Sequence, residues 1–282
     1  MITVIDGGLS TALAELGADT SSSWWTADAL RTSPHVLEAA HRSFVVAGAR
    51  VVTSASYQCP SHEHDALRAS TAIARRAAGD DARVAASIGP FGAWLADGSE
   101  YNGAYDVSLE VVRSRHTERI RVLLDTDVDL FAVETQPRAD EAEMIAEILV
   151  DHGAPPAWFS FGCRDGSTTY GGDDVGSAVR RVAEYPNLVA VGVNCASPDV
   201  VDSVVATLAP LGLPVIAYPN HGRVWDASTR SWMGEASDLA DESRLRRWAM
   251  AGVTMVGGCC GVGPTELARL ARVCAALDGR SS

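Results

Sequence analysis

The chain has 282 residues, of which 47% are hydrophobic and 21% charged, with a formal net charge of −13. This composition suits a globular protein with a large buried core, and the acidic excess argues against a nucleic-acid partner or an anionic membrane surface, since both recruit basic patches. Six cysteines in a chain of this length are too few for a disulfide scaffold, and in a reducing compartment they read as free, metal-bound or catalytic thiols.

The opening MITVIDGGLS has no basic segment followed by a long apolar run, so no signal peptide is expected. No uninterrupted apolar stretch approaches the ~18 residues of a membrane span, and the expected location is cytoplasmic. Short apolar, β-branched runs then recur along the chain. They are ITVID (2–6), RVVTSAS (50–56), RVAASIG (83–89), LFAVET (130–135), AWFSFG (157–162), LVAVGVN (188–194), PVIAYP (214–219) and VTMVGG (253–258). Between them lie helical patterns such as HVLEAAHRSFVVAG, DEAEMIAEILVDHG, DVVDSVVATLAPLG and ESRLRRWAMAG, each ending in a glycine before the next strand. Near-continuous apolar strands suit a parallel sheet covered by helices. Eight strand–helix units therefore predict a (β/α)8 TIM-type barrel, α/β in class, as a single domain over 1–282; a doubly wound open sheet is the structural alternative. The longest polar interruptions, around 93–106 and 220–240, follow strand candidates, where a barrel keeps its functional loops.

Chemistry in such a barrel gathers at the C-terminal strand ends. Those positions hold Asp6, Tyr57, Glu134, Cys163, Cys195, Asn220 and the pair Cys259-Cys260. Cys195 follows the sixth strand and the pair follows the last, so the three thiols face one mouth. Three thiolates suit zinc and leave a fourth position open. In VGGCCG the glycines would let the backbone leave strand geometry at once, turning both neighbouring sulfurs toward one ion. Spacing alone leaves other readings open, because there is no local CxxC pair: incidental thiols, or a strained vicinal disulfide. VGGCCGVGPTEL can also be read as a glycine-rich phosphate cradle at a helix N-terminus, which would suit a barrel lyase or isomerase. A closed, non-catalytic zinc site is the third alternative. Cys274 reads as a small buried hydrophobe, Cys59 and Cys163 as structural or incidental thiols, and His62 and His64 as a solvated loop rather than a metal pair.

Seven pieces in order, DGGLSTAL (6–13), AGARVVTSASYQ (47–58), SIGPFGAWLADGSEY (87–101), VETQP (133–137), GVNC (192–195), YPN (218–220) and GGCCG with Pro264 (257–264), span nearly the whole chain. Together they resemble the homocysteine S-methyltransferase family, and most closely its compact members that use S-methylmethionine or S-adenosylmethionine. The resemblance implies a zinc-dependent barrel that moves a methyl group from a methyl sulfonium donor to the thiol of homocysteine, forming methionine. It implies Cys195, Cys259 and Cys260 as zinc ligands, and Glu134, assisted by Asp6, as the carboxylate holding the homocysteine amino group. Gly7 and Gly8 would let the backbone approach the amino acid, Tyr57 would sit beside the reacting sulfur, and Asn194 and Asn220 would shape or support the site. Asp6 has an alternative role as a helix cap. Two residues depart from the family pattern: Gly162 stands where threonine is expected, and His221 where a smaller residue is usual. Among seven tryptophans, Trp94 and Trp225 are best placed to meet a donor sulfonium by cation–π attraction.

Overall fold

The computed structural model describes residues 1–19, 25–226 and 231–279. Its strands are β1 (Thr3–Val4), β2 (Val51–Thr53), β3 (Arg83–Ile88), β4 (Leu130–Gln136), β5 (Ala157–Phe161), β6 (Leu188–Asn194), β7 (Val215–Tyr218), β8 (Val224–Asp226), β9 (Ser231–Met233) and β10 (Val253–Val256). All eight expected barrel strands are present. They form one parallel sheet in the order β2-β3-β4-β5-β6-β7-β10-β1. The seam between β1 and β2 is drawn together by the parallel bridge of Ile5 with Val51. There Arg50 N donates to Val4 O (2.8 Å) and Asp6 N to Val51 O (3.0 Å). The result is a nearly closed TIM-type barrel with helices between successive strands.

Alternation along each strand divides the apolar residues into two cores. Ile5, Val51, Leu130, Trp158, Ile216 and Met255 fill the barrel interior. Their strand neighbours, such as Val52, Phe131, Phe159 and Val215, pack outward under the helices. The same parity continues to the C-terminal strand ends, where the inward positions become polar. Thr53 follows Val51, Ser87 follows Ala85, Glu134 follows Ala132, Ser160 follows Trp158 and Tyr218 follows Ile216. One period-2 register therefore makes a greasy barrel floor and a polar mouth.

The expected helices span Pro34–Ala47, Ala139–Asp151, Pro198–Leu208 and Glu242–Met250. Gly48 ends the first of them in the left-handed conformation (φ 113°) and Gly252 follows the last (φ 93°), which is the role their positions predicted. The two long polar segments are more ordered than the sequence suggests. The first carries a short helix (Phe91–Leu95) and a 3-10 turn (Ser99–Tyr101), and the second carries the antiparallel hairpin β8–β9. Among the described residues, no helix is long and apolar enough to cross a membrane.

Candidate active site

The sulfurs of Cys195, Cys259 and Cys260 lie within 4.8 Å of one another, and Cys195 Sγ is 3.9 Å from Cys260 Sγ. Zinc–sulfur bonds of ~2.3 Å in a tetrahedron imply a sulfur–sulfur edge of about 3.8 Å, so the spacing fits a shared ion. The end of β7 brings them together. Cys195 N donates to Tyr218 O (3.3 Å), Cys259 N to Pro219 O (2.8 Å) and His221 N to Cys260 O (3.1 Å). The YPN segment is thus a backbone bridge between GVNC and GGCC. Hydrogen bonds from Cys195 and then Cys259 hold the Cys260 thiol well below its ordinary pKa. Hydrogen bonds to Cys195 and then Cys260 push Cys259 up. Crowding thus favours ionisation of one thiol at the expense of its neighbours, and a bound cation would favour the thiolate form of all three. No fourth Cys, His, Asp or Glu joins the cluster among the described residues, so the donor set resembles an open site rather than a closed structural one.

The backbone leaves strand geometry directly after Val256, as expected, but Gly257 and Gly258 also serve a second purpose. Gly257 and Gly258 have no left-handed φ; only Gly261 does (φ 79°). A Cβ on Gly257 would press on Asp6 O (2.6 Å), and one on Gly258 on Val262 Cβ (2.5 Å). Gly7 and Gly8 make the reciprocal approach, since a Cβ there would lie 2.6 Å from Val262 O and from Cys259 O respectively. The loops after β1 and β10 therefore lie backbone against backbone, and glycine is what permits it. Both Gly7 and Gly8 still line the cavity that holds the sulfurs.

Asp6 and Glu134 line the same cavity. Asp6 Oδ2 accepts from Thr53 N (2.7 Å) and Thr53 Oγ1 (3.0 Å). Glu134 accepts from Ser87 Oγ (2.5 Å) and from the Tyr218 hydroxyl (3.0 Å), and that hydroxyl in turn accepts from Trp158 Nε1 (3.1 Å). Burial, opposed by the Thr53 hydrogen bonds and aided by the nearby Glu134, pushes the Asp6 carboxyl up to about 8. Burial likewise raises Glu134, against the pull of Ser87, Tyr218 and Arg119. Two buried carboxyls facing one cavity suit a cationic ligand. The helix-cap alternative for Asp6 is not what the structure shows: the helix Leu9–Glu15 has Gly8 at its N-cap.

Asn194 holds the carboxylate strand to the cysteine strand. Its Oδ1 accepts from Thr135 N (2.8 Å) and Ser160 Oγ (2.9 Å), and its Nδ2 donates to Thr135 Oγ1 (2.7 Å). Thr135 has a left-handed φ of 56° where the β4–β5 register shifts, and Cys195 follows with φ 54°. Such strained, bulged positions re-aim neighbouring side chains at functional sites. Replacing Asn194 with Ala orphans the buried Thr135 amide, and it is expected to cost about 1–3 kcal/mol of stability. Denaturant unfolding measures this; an unchanged midpoint would show that the clamp contributes nothing.

Tyr57 also lines the cavity and packs on Gly89, where a Cβ would lie 2.7 Å from its ring. Asn220 accepts from Gly222 N (2.8 Å) and shapes the adjoining turn. His221 fits because Gly261 lacks a side chain: a Cβ there would lie 2.5 Å from His221 Nε2. Trp94 faces inward, stacked near Phe91 and His116 with the Arg119 guanidinium 5.4 Å above its ring, so its cation is internal. The Trp225 side chain lies outside the described residues. Cys59, Cys163 and Cys274 are buried, with burial pushing their thiols up to about 11, 12 and 12. His64 pairs with Glu118 on the surface (3.1 Å). The start of the last helix, Pro264–Gly279, faces carboxylates rather than an anion pocket: Gly263 N donates to Glu266 (3.1 Å), and Glu15 also abuts Gly263.

Arg119, His116 and Glu141 support the site from positions that no sequence motif marks. Arg119 is fully buried; its guanidinium donates to Tyr57 O (2.7 Å), Ser87 O (3.3 Å) and Gly89 O (3.4 Å), and to Ser56 O, tying the ends of β2 and β3 together. Glu141 accepts from Phe91 N (2.6 Å), His116 Nε2 (2.8 Å) and Tyr105 OH (2.9 Å), anchoring the loop after β3. The available signal was polar residues, 116 and 119, on the buried face marked by Val112, Ile120 and Leu123.

Comparison with known proteins gives concordant results. The sequence model of a family described as homocysteine S-methyltransferase matches residues 3–274. A selenocysteine Se-methyltransferase of Brassica oleracea var. italica is 36% identical, over 94% of this chain and 86% of its own. A homocysteine S-methyltransferase of Escherichia coli is 34% identical, over 95% and 94% respectively. The crystal structure of the homocysteine methyltransferase MmuM from Escherichia coli, in a metallated form, superposes with a TM-score of 0.85 at 32% identity, covering 96% of each chain.

Proposed function

This chain belongs to the homocysteine S-methyltransferase family, and from that footing we propose that it transfers a methyl group from a methyl sulfonium, S-methylmethionine or S-adenosylmethionine, to homocysteine, forming methionine. One observation carries the reading: a single cavity presents three convergent sulfurs and two buried carboxyls. Homocysteine has a thiol at one end and an ammonium at the other, and the cavity offers a partner for each. Cys195, Cys259 and Cys260 are the residues that would hold zinc. Bound there, zinc would supply Lewis acidity that lowers the pKa of an incoming thiol from its free value of about 8.5 toward neutrality.

The chain's own residues do the rest. Glu134, fixed by Ser87 and Tyr218, and Asp6, fixed by Thr53, pair with the ammonium and set the direction of the ligand. Asn194 keeps β4 and β6 in the register that aims Glu134 and Cys195 at the same space. Gly7 and Gly8 admit the amino acid's backbone, and Tyr57 walls the reacting sulfur. Sulfur attacks the donor's methyl carbon in line as the carbon–sulfonium bond breaks, and its electron pair stays on the departing thioether. Opposite charges vanish in that step, so a dry cavity favours it over water. Cytoplasmic, reducing surroundings belong to this reading, because three neighbouring thiols must stay reduced to act as ligands.

The test is purified, zinc-loaded protein with homocysteine, offered S-methylmethionine, S-adenosylmethionine and betaine separately. Methionine is expected from a sulfonium and not from betaine; none from either sulfonium would overturn the reading.

Asp6 gives a pH signature. With its carboxyl protonated up to about 8 in the free protein, binding an ammonium must displace that proton. Below pH 8, kcat/KM for homocysteine therefore rises with pH, by up to about tenfold per unit from this group. Asp6→Asn is expected to remove that slope and raise KM. Stability shifts the other way. Between the unfolded value of 3.8 and the folded value of about 8, the native state holds a proton the unfolded chain has lost, so stability falls as pH rises. Asn can still accept from Thr53 without the charge, so Asp6→Asn is expected to stabilise the unliganded protein at pH 8 by about 1–2 kcal/mol. Melting scans of both proteins at pH 5 and pH 8 check the sign.

A further inference from the structure

The exposed side of the cavity carries Tyr101, whose neighbour Tyr170 packs in space that a glycine at 162 leaves free. Tyr101, on the 3-10 turn after β3, lines the cavity together with Cys195 and Cys260 and is 41% exposed. The carboxyls that would take homocysteine's ammonium are far more enclosed, Asp6 at 2% and Glu134 at 9%. The buried end therefore belongs to the acceptor, and a second substrate must reach the sulfurs from the side on which Tyr101 stands.

Tyr101 does not stand there alone. Tyr170, from the loop after β5, meets it edge to face, with ring centroids 5.6 Å apart and planes at 77°. The Tyr170 hydroxyl donates to the carbonyl of Cys195 (3.1 Å), so this ring is fastened to a cysteine of the cluster. The ring fits only because residue 162 is glycine: a Cβ there would lie 2.5 Å from Tyr170 Cε2 and closer still to Cδ2. The backbone supports the arrangement. Tyr170 N donates to Gly162 O (2.9 Å), Gly171 N to Pro137 O (2.8 Å), and Arg138 to Gly103 O (3.3 Å), joining the loops that carry the two tyrosines to the end of β4.

We infer that Tyr101, braced by Tyr170 in the space left by Gly162, is the wall against which the methyl sulfonium donor docks, its ring facing the positive sulfur. The inference rests on the methyltransferase reading and adds to it the residues that select the second substrate. A sulfonium is a soft, weakly hydrated cation, and an aromatic face within about 6 Å attracts such a charge without the desolvation a carboxylate demands. A carboxylate at that position would also compete with the acceptor's anionic sulfur for the same cation. A tyrosine wall holds the donor without neutralising the charge that the transfer consumes.

Donor binding can be read apart from turnover, by calorimetry of zinc-loaded protein with S-methylmethionine and no thiol present. Tyr101→Leu is expected to weaken donor binding by about five- to tenfold, with zinc content and the homocysteine KM unchanged. Tyr101→Phe, which keeps the ring, is expected to restore binding to within about twofold. Gly162→Thr, which displaces the Tyr170 ring, is expected to reproduce the Leu result. Adding Tyr170→Ser to it is expected to recover folding stability but not donor affinity. Equal donor affinity in wild type and Tyr101→Leu, or a Phe variant as weak as Leu, overturns the wall. An absence of methyl transfer alongside the expected binding series would sink the proposed reaction and leave the wall standing.

Discussion

Cys195→Ser, Cys259→Ser and Cys260→Ser are each expected to lose zinc and, with it, methyl transfer by more than about a hundredfold, since changing even an outer partner of a metal ligand costs 10–100-fold in affinity. A serine hydroxyl is a hard, weakly acidic donor that does not replace a thiolate at neutral pH. The geometry makes the three losses equivalent: each sulfur is one corner of a triangle no wider than 4.8 Å, and two corners make a poor site. Cys274→Ser is the control. That thiol is buried on the last helix, away from the cluster, and its replacement is expected to leave zinc content unchanged while costing a little stability. Metal analysis of the four purified variants decides the matter. Full zinc in any of the first three would remove that residue from the ligand set.

Glu134→Gln is expected to raise the homocysteine KM by roughly a hundredfold while zinc stays bound. Removing one member of a buried charged pair typically costs 2–5 kcal/mol, and the amide keeps the shape, so Ser87 and Tyr218 retain something to bond. Glu134→Ala should do the same with added instability, because Ser87 and Tyr218 then lose their acceptor. The donor KM is expected to move far less in both. Unchanged homocysteine kinetics in Glu134→Gln would refute the role of this carboxylate, and loss of zinc would show that it supports the metal instead.

Much of this arrangement could be read from the sequence, because two simple periodicities govern it. The apolar runs gave eight strands in their observed places. Reading their ends picked out Asp6, Tyr57, Glu134, Cys195, Cys259 and Cys260, which the fold brings to one cavity. Residues whose purpose is to hold others were harder to see. Thr53, Ser87 and Tyr218 pass for ordinary strand members until register shows that they share the inward face with Glu134. Arg119 and Glu141 sit on helices; a polar residue on a buried face hints at a partner, but nothing local says that Arg119 meets the ends of β2 and β3 or that Glu141 meets the amide of Phe91. In VGGCCG the turn out of the strand is legible locally, but the close approach that Gly257 and Gly258 permit is a tertiary fact, invisible from one loop alone. The hairpin β8–β9 escaped because its strands are three residues each and carry no alternating apolar pattern.

The seam of the barrel is joined by little backbone pairing, and the Asp6 side chain supplies part of what the ladder lacks by receiving the Thr53 amide. The last stave of the cylinder is therefore fastened by the same group that reaches for the acceptor. The fold needs only that group's lone pair, and the chemistry needs its negative charge. An organism pays for that difference in robustness whenever the protein stands empty.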